Sequence, residues 1–509
     1  MTNDKNGAVP KDLPGDQDVA TPKVAEPFDA ESVTTDNIPT VRKASDRGYW
    51  IFVMILTLII FEQVALGYAL IAPVLPALAT HFETAQIGWS ITAWTLSGAV
   101  AGPLFGKLAD IHGRRRILLV ALGITSAGAI ICAVAPTYAI FLVGRVIMGA
   151  ALGIANVLSA LIRDVFPKKY LGTAYGVTFT GAGLISIAAP FISGGLNDAF
   201  GPYAIFMFLF AYAVLCAVLV RFFLPESTIR LKAKIDIVGL LLLAAGGAGI
   251  SYGFGQAGTW GWLSPATLGC LLGGAAMVVL FFVHQRAKRD NHPLVEFSLL
   301  KSRAMIVLMI AGGFIQVLGS LTSVLAFQLI QLSPGADGAG FGRSTTEAAT
   351  WVIGGSIMAF LTGLSAGVVG RKTGFRPLLV TACFVTAASA TFLAFQHTEP
   401  WHVIAASILF GVTGGLIAGS WSMLIVESVP ASQQGVAAGT IGTINGIGTS
   451  VWTQLLFAIM LITVVSYSDG APIYNNASFV VGYLFVAVVA VLGALFTFLL
   501  PRDKPIEAA

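Results

Sequence analysis

The chain has 509 residues, 56% of them hydrophobic and only 11% charged, with a net charge of +4 and a mean hydropathy of +0.83. A soluble domain carries roughly 25% charged residues, so there is too little polar surface here to coat a water-soluble body, and the bilayer must be the main solvent. The same shortage excludes a basic nucleic-acid-binding stripe, and no HExxH or nucleophile–base set points to an enzyme.

In chain order, residues 1–48 hold nine acids and six bases without an apolar core of their own. They read as a disordered, solvated tail rather than a signal peptide. A spanning helix needs about 20 apolar residues. Runs of that kind lie near 49–79, 87–107, 116–135, 138–161, 171–196 and 202–224, then near 238–255 and 266–284. A last set lies near 304–331, 347–368, 377–395, 401–425, 434–464 and 478–500, followed by a short tail, 501–509. The expected fold is an all-α integral membrane protein with fourteen transmembrane helices.

Charge sets the expected orientation. With the N-terminal tail in the cytoplasm, 26 of the 29 Lys and Arg residues fall on the cytoplasmic side; the others are Arg145, Arg221 and Arg343. Both termini are then cytoplasmic, and the expected location is the cell membrane. The four cysteines, Cys132, Cys216, Cys270 and Cys383, sit in apolar runs and suit neither a disulfide framework nor a metal cluster. No metal and no cofactor is expected, beyond protons as a coupling ion.

The chain repeats itself. LIRDVFPKKYLGTAYG (161–176) matches LIVESVPASQQGVAAG (424–439), with Asp164 facing Glu427. GKLADIHGRRR (106–116) matches GVVGRKTGFRP (367–377) through two glycines and the pair Arg115/Arg376. The expected organisation is therefore two six-helix halves, 49–224 and 304–500, with residues 225–303 carrying two extra spans between them. Repeats of this kind are a transporter plan, with the site near mid-membrane where the halves meet.

GKLADIHGRRR resembles the cytoplasmic signature of the major facilitator superfamily through Gly106, Leu108, Ala109, Asp110, Gly113, Arg114 and Arg115. FLVGRVIMGAALG, with Arg145, Gly149 and Gly153, is similar to the second signature of its efflux proteins. Fourteen spans resemble the drug:proton antiporter branch. The resemblance implies alternating access, a proton-linked role for Arg145, and a conformational latch at the cytoplasmic mouth. Asp110, Arg114, Arg115 and Asp164 would form that latch, with Glu427 serving the second half. Two departures stand out. The branch's glycine-rich fifth-span motif keeps only Gly176, Pro190 and Gly194, with Ile185, Ala189 and Ser193 replacing glycines. The branch's usual acid in the first span, nine residues before Pro76, falls on Gly67.

Instead the first span carries Glu62, the single acid of 25 expected deep in the membrane; Arg145 is the matching deep base. Burying either costs about 2.5–3.5 kcal/mol on insertion scales. A carboxyl in a low-dielectric site can load and release a proton at physiological pH, and one charge moved through 100 mV is worth about 2.3 kcal/mol. Two readings of Glu62 stand: proton carrier, or structural hydrogen-bonder. Arg145 could likewise simply pin helices through backbone carbonyls. Candidate cavity residues are Gln63, Trp94, Asn156, Gln316, Gln328, Trp421, Asn445, Trp452 and Gln454. Glycines four apart, Gly172/Gly176, Gly435/Gly439 and Gly442/Gly446, are expected to pack helices closely. The expected function is proton-coupled export of drugs or other amphipathic small molecules by a monomer in the bilayer. The alternatives are a metabolite-importing symporter, a transporter of a lipid or cell-envelope precursor, and a non-transporting receptor.

Overall fold

The computed structural model describes residues 47–227, 230, 235–287, 303–334, 339–428, 434–464, 466–468 and 470–500. Residues 1–46 of the expected N-terminal tail, 228–229, 231–234 and 288–302 of the expected 225–303 linker, and the C-terminal tail 501–509 lie outside them. The N-terminal helix starts at Arg47, two residues before the expected span.

Fourteen helical spans follow. They are α1 (Arg47–His81), α2 (Trp89–His112), α3 (Arg114–Ala133), α4 (Tyr138–Val165), α5 (Lys168–Phe200), α6 (Ala204–Phe223), α7 (Ile237–Trp260) and α8 (Pro265–Ala287). The rest are α9 (Met305–Gln331), α10 (Thr345–Thr373), α11 (Phe375–Phe395), α12 (Pro400–Ser428), α13 (Gln434–Leu461) and α14 (Asn476–Phe498). Among the described residues thirteen are long and apolar enough to cross a membrane. The remaining one, α2, is long enough at 24 residues but less apolar. It is wedged between other helices, with Ser90, Thr92 and Thr95 buried, so it needs no lipid-facing stripe. A small antiparallel hairpin, β1 (Ser466–Ser468) with β2 (Ala471–Ile473), precedes α14.

Three spans are broken where the apolar pattern reads as continuous. In α1, helix Arg47–Ala69 gives way to a 3-10 turn, Ala72–Val74, and then Leu75–His81. Pro73 has no N–H to give, and Val74, whose N–H would ordinarily reach Leu70, bonds the Ile71 carbonyl at 3.2 Å instead. In α4 the break follows Met148: a Cβ on Gly149 would lie 2.8 Å from the Trp94 carbonyl oxygen, so α2 presses on the chain there. In α9 the break falls at Gln316 and Val317.

The helices pair within two groups of six. In α1–α6 the pairs include α1·α5, α2·α4 and α3·α6; in α9–α14 the corresponding pairs, eight spans later, are α9·α13, α10·α12 and α11·α14. The groups meet along two seams, α2·α13 and α5·α10. The extra pair, α7 and α8, packs on itself, and α7 covers the α2·α13 seam. Asp236 locks its base: it accepts from Gly239 N at 3.1 Å and Gln285 Nε2 at 2.6 Å, and lies 2.9 Å from His284 Nε2.

Candidate transport site and gates

The end of the bundle carrying Arg114–Arg116 is here the basic end, its opposite the far end. Gly113 joins α2 to α3 in a single residue with φ at 107°, a conformation L residues resist. Gly374, with φ 87°, does the same between α10 and α11. Each turn delivers an arginine to the close of its group's last helix. Arg115 Nε donates to the Val220 carbonyl at 3.2 Å and its Nη2 to that of Arg221; Arg376 donates to the Phe498 carbonyl. Cations suit these carbonyl-rich helix ends. The repeated Arg115/Arg376 pair thus caps α6 and α14. Glu226 adds to the first turn, accepting from the backbone N–H groups of Arg115 and Arg116 at 3.0 and 3.3 Å.

Beside this turn Arg114 is buried between two carboxylates, Asp164 at 2.9 Å and Asp110 at 3.3 Å. The Asp164 contact is close but off the N–H axis, so it is a Coulombic pair. Asp164 also accepts from Ser227 Oγ at 2.6 Å. The cluster thus ties α2, α3 and α4 to the segment after α6, all within one half. A Cβ on Gly106 would meet nothing within 4 Å. The side chain of Glu427 lies outside the described residues.

Along the α2·α13 seam, Gln454 Nε2 donates to Thr92 Oγ1 at 3.0 Å, Thr95 and Ser450 hydroxyls lie 2.8 Å apart, and Thr443 Oγ1 donates to the Ala99 carbonyl at 3.1 Å. That sequence runs from the far end to mid-helix. Beyond it Gly102 faces Asn156 of its own half, and Gly439 and Gly442 meet nothing within 4 Å among the described residues. The α5·α10 seam behaves alike. Gly194 meets the Thr346 backbone and Gly183 meets Phe360, whereas Gly176, Gly172 and Gly367 meet nothing within 4 Å among the described residues. Among the described residues the halves therefore touch at the far end and part towards the basic end. Among the described residues Gly172, Gly176, Gly439 and Gly442 make no close helix-packing contact in this conformation, unlike the expectation from their spacing. Gly446 does pack, on Ala99; the side-chain position of Gly435 lies outside the described residues.

Glu62 sits at the level where the halves begin to part. It is 5% exposed, and neither carboxylate oxygen has a hydrogen-bond partner among the described residues. A Cβ on Gly181 of α5 would meet it, and Gly181 is about 3 Å along the helix from Gly183, the last α5 glycine to touch α10. Two other buried acids, Asp164 and Asp236, are both paired. Gln63 is fully buried with its amide unpartnered among the described residues.

Arg145 is not the counterpart of Glu62. Its Nε donates to the Ser90 carbonyl at 2.7 Å near the far end, and its guanidinium lies 5.8 Å from the Trp94 ring centroid. Gly67, where the resemblance would put an acid, faces that Trp94 ring. Glu62 is five residues, about 7.5 Å, nearer the basic end.

In the second half, Gly312 makes room for Trp421 and Asn445, both buried, the Asn445 Oδ1 without a partner among the described residues. Gln316 is exposed at the α9 break, and Asn156 is exposed on α4. Gln328 is buried. Trp452 packs at a tilt between Phe314 and Phe485, an aromatic packing role. Gln454 holds the seam. Pro190 is carried inside an unbroken α5. Ser193, a departure from the glycine motif, donates to the Leu70 carbonyl at 2.8 Å, the group released by the α1 kink. Nothing in the local sequence flags that bond, because its partner is exposed only by a break 123 residues earlier.

Two six-helix groups with matching internal pairings, closed at one end and parted at the other around a buried carboxyl that has no hydrogen-bond partner among the described residues, define a helical small-molecule transporter. The family model of the Major Facilitator Superfamily matches residues 57–453, and the chain belongs to that superfamily. It is 30% identical over 387 residues to a "probable actinorhodin transporter" of Streptomyces coelicolor, covering 73% of this chain and 65% of that one. It is 25% identical over 392 residues to the multidrug resistance protein Stp of Mycobacterium tuberculosis, covering 76% and 71%. Among solved structures, a D-xylose–proton symporter superposes with a TM-score of 0.64 at 13% identity, over 88% of this chain and 97% of that one. A human organic anion transporter gives 0.55 at 14%, over 87% and 98%. The last two share the fold.

Proposed function

We propose that the protein is a proton-coupled antiporter that exports amphipathic small molecules by alternating access, with its basic end in the cytoplasm. In that orientation the conformation described is open to the cytoplasm. The observation that carries the reading is Glu62: a buried carboxylate, without a hydrogen-bond partner among the described residues, at the level where the halves part. A proton and a cationic or polar substrate can compete for such a group, which couples their movements. The printed names of two relatives, a multidrug resistance protein and an actinorhodin transporter, support export of organic molecules. Lys and Arg clusters at the basic end support the orientation, and Gly181 supports the role by leaving room for the carboxylate against α5.

The test is transport in proteoliposomes with an imposed pH gradient and ethidium, an amphipathic fluorescent cation, as probe. Ethidium is expected to move opposite to protons, and Glu62→Gln to abolish that coupling. Movement in the same direction as protons would favour the symport alternative, which the altered fifth-span motif also suits. Unchanged, proton-dependent flux in Glu62→Gln would remove Glu62 from the mechanism.

A further inference from the structure

The far end is closed by the last two turns of α5, and the closure is polar. Asp198 belongs to the first half, yet its carboxylate caps a helix of the second. Oδ1 accepts the backbone N–H of Thr345 at 3.3 Å and Oδ2 that of Thr346 at 2.9 Å. Both lie in the first turn of α10, where helical N–H groups have no intrahelical acceptor and the helix end carries partial positive charge. Ser344, the N-cap, takes the Glu347 N–H at 3.2 Å. The orphan donors of α10 are thus shared between its own cap and a carboxylate from across the seam.

A relay continues from there. Asn197 Nδ2 donates to Thr345 Oγ1 at 2.9 Å, and Thr345 Oγ1 donates to Gln331 Oε1 at 3.1 Å. Gln331 Nε2 donates to the Pro73 carbonyl at 2.7 Å, inside the α1 kink. Ser193 holds the same kink from α5 through Leu70. Gly194 permits the approach, since a Cβ there would lie 2.7 Å from Thr346 Cα. Opening the far end requires α5 to leave α10 and α9 to leave α1. The Asp198, Asn197–Thr345 and Gln331–Pro73 bonds must then all break.

We propose that Asp198 is a positioning residue that holds the far gate shut by capping α10, and that its release sets the fraction of molecules open to the far side. The inference rests on the alternating-access reading. Its chemistry is specific: the carboxylate recognises backbone N–H groups available only while the two helix ends are together. Neither Asp198 nor Thr346 lies beside Glu62, so loss of the latch shifts the balance of states and leaves the proton site in place.

The test uses the full-length protein in lipid nanodiscs, spin-labelled at Val134→Cys and Trp401→Cys, exposed far-end positions in opposite halves. Cys270 is replaced by serine; the other three cysteines are buried. Asp198→Ala is expected to raise the long-distance population about fivefold. Thr346→Pro removes one capped N–H in the first helical turn, where that N–H has no intrahelical acceptor, and is expected to act in the same direction. Asp198→Asn, which retains an acceptor oxygen without the charge, should fall between. In liposomes the latch variants should alter kcat more than KM. Distance distributions of Asp198→Asn and Thr346→Pro that superimpose on the parent's would overturn the proposal, even if Asp198→Ala fails to fold. Absence of flux in the parent would count against the transport reading alone, because the distances report the gate without substrate movement.

Discussion

Asp164→Leu tests the energetics of the basic-end cluster most directly. The Arg114 side chain is 2% exposed and Asp164 4%, at 2.9 Å. Leucine removes the carboxylate and leaves a buried guanidinium whose remaining partner is Asp110, 33% exposed at 3.3 Å. Breaking a buried pair from one side costs about 3–5 kcal/mol; the surviving Asp110 contact places the expected loss near the low end, at about 3 kcal/mol. The bond from Ser227 Oγ goes with it, so the segment after α6 should loosen too. The protein carries its own reporter, since Cys132, Cys216 and Cys383 are buried free thiols. A thiol-reactive fluorogenic dye reads their exposure during heating. The single variant should melt well below the parent, while Arg114→Met/Asp164→Leu should recover much of the loss, because an apolar pair replaces a buried ion pair at little cost. A single variant that melts with the parent, or a double variant less stable than the single, would refute the reasoning.

Two further substitutions probe helix packing. Gly411→Ala drives a methyl into the Gly355 backbone where α12 crosses α10, and should cost about 1–3 kcal/mol in the same melting assay. Gly414→Ala, whose Cβ meets nothing within 4 Å, should stay within about 0.5 kcal/mol of the parent; equal effects would show that the contact does not decide the outcome. Asp236→Leu removes the acceptor shared by Gly239 N–H and Gln285, and should speed labelling of Cys270 on α8 about fivefold. An unchanged rate would mean the α7–α8 pair is held elsewhere.

The fourteen spans were legible because a bilayer imposes length and apolarity on each one, and α2 too was found from its apolar run despite its lower hydropathy. The breaks in α1, α4 and α9 were not. An apolar count registers Pro73 or Gly149 as one residue among twenty, while the break depends on a carbonyl of α2 or a missing N–H. Glu62 was legible as an acid out of place, since a deep carboxylate needs no partner to be conspicuous. Its separation from Arg145 was hidden, because the register of α1 against α4 is a tertiary fact. The bonds of Asp198 and Ser193 were invisible for a related reason: polar residues near span ends are common, and these partners lie 147 and 123 residues away. Of the glycine pairs, Gly446 packs as expected, while Gly172, Gly176, Gly439 and Gly442 meet no neighbour among the described residues, because spacing shows which faces can pack and not which are together in one conformation.

The two glycine faces of α7 carry a mechanical consequence. Gly246 and Gly249 fit against α8, around Gly274, and Gly247 and Gly255 against the seam, beside Leu96, Ile447 and Gln454. One face packs the inserted pair together and the other lies on the seam. If α2 and α13 change their angle during a cycle, they must slide over a surface that stays in contact with both. A surface with hydrogens in place of side chains offers few ridges to climb. The inserted pair would then stay packed on itself while the two helices of the seam shift against its glycine-lined face.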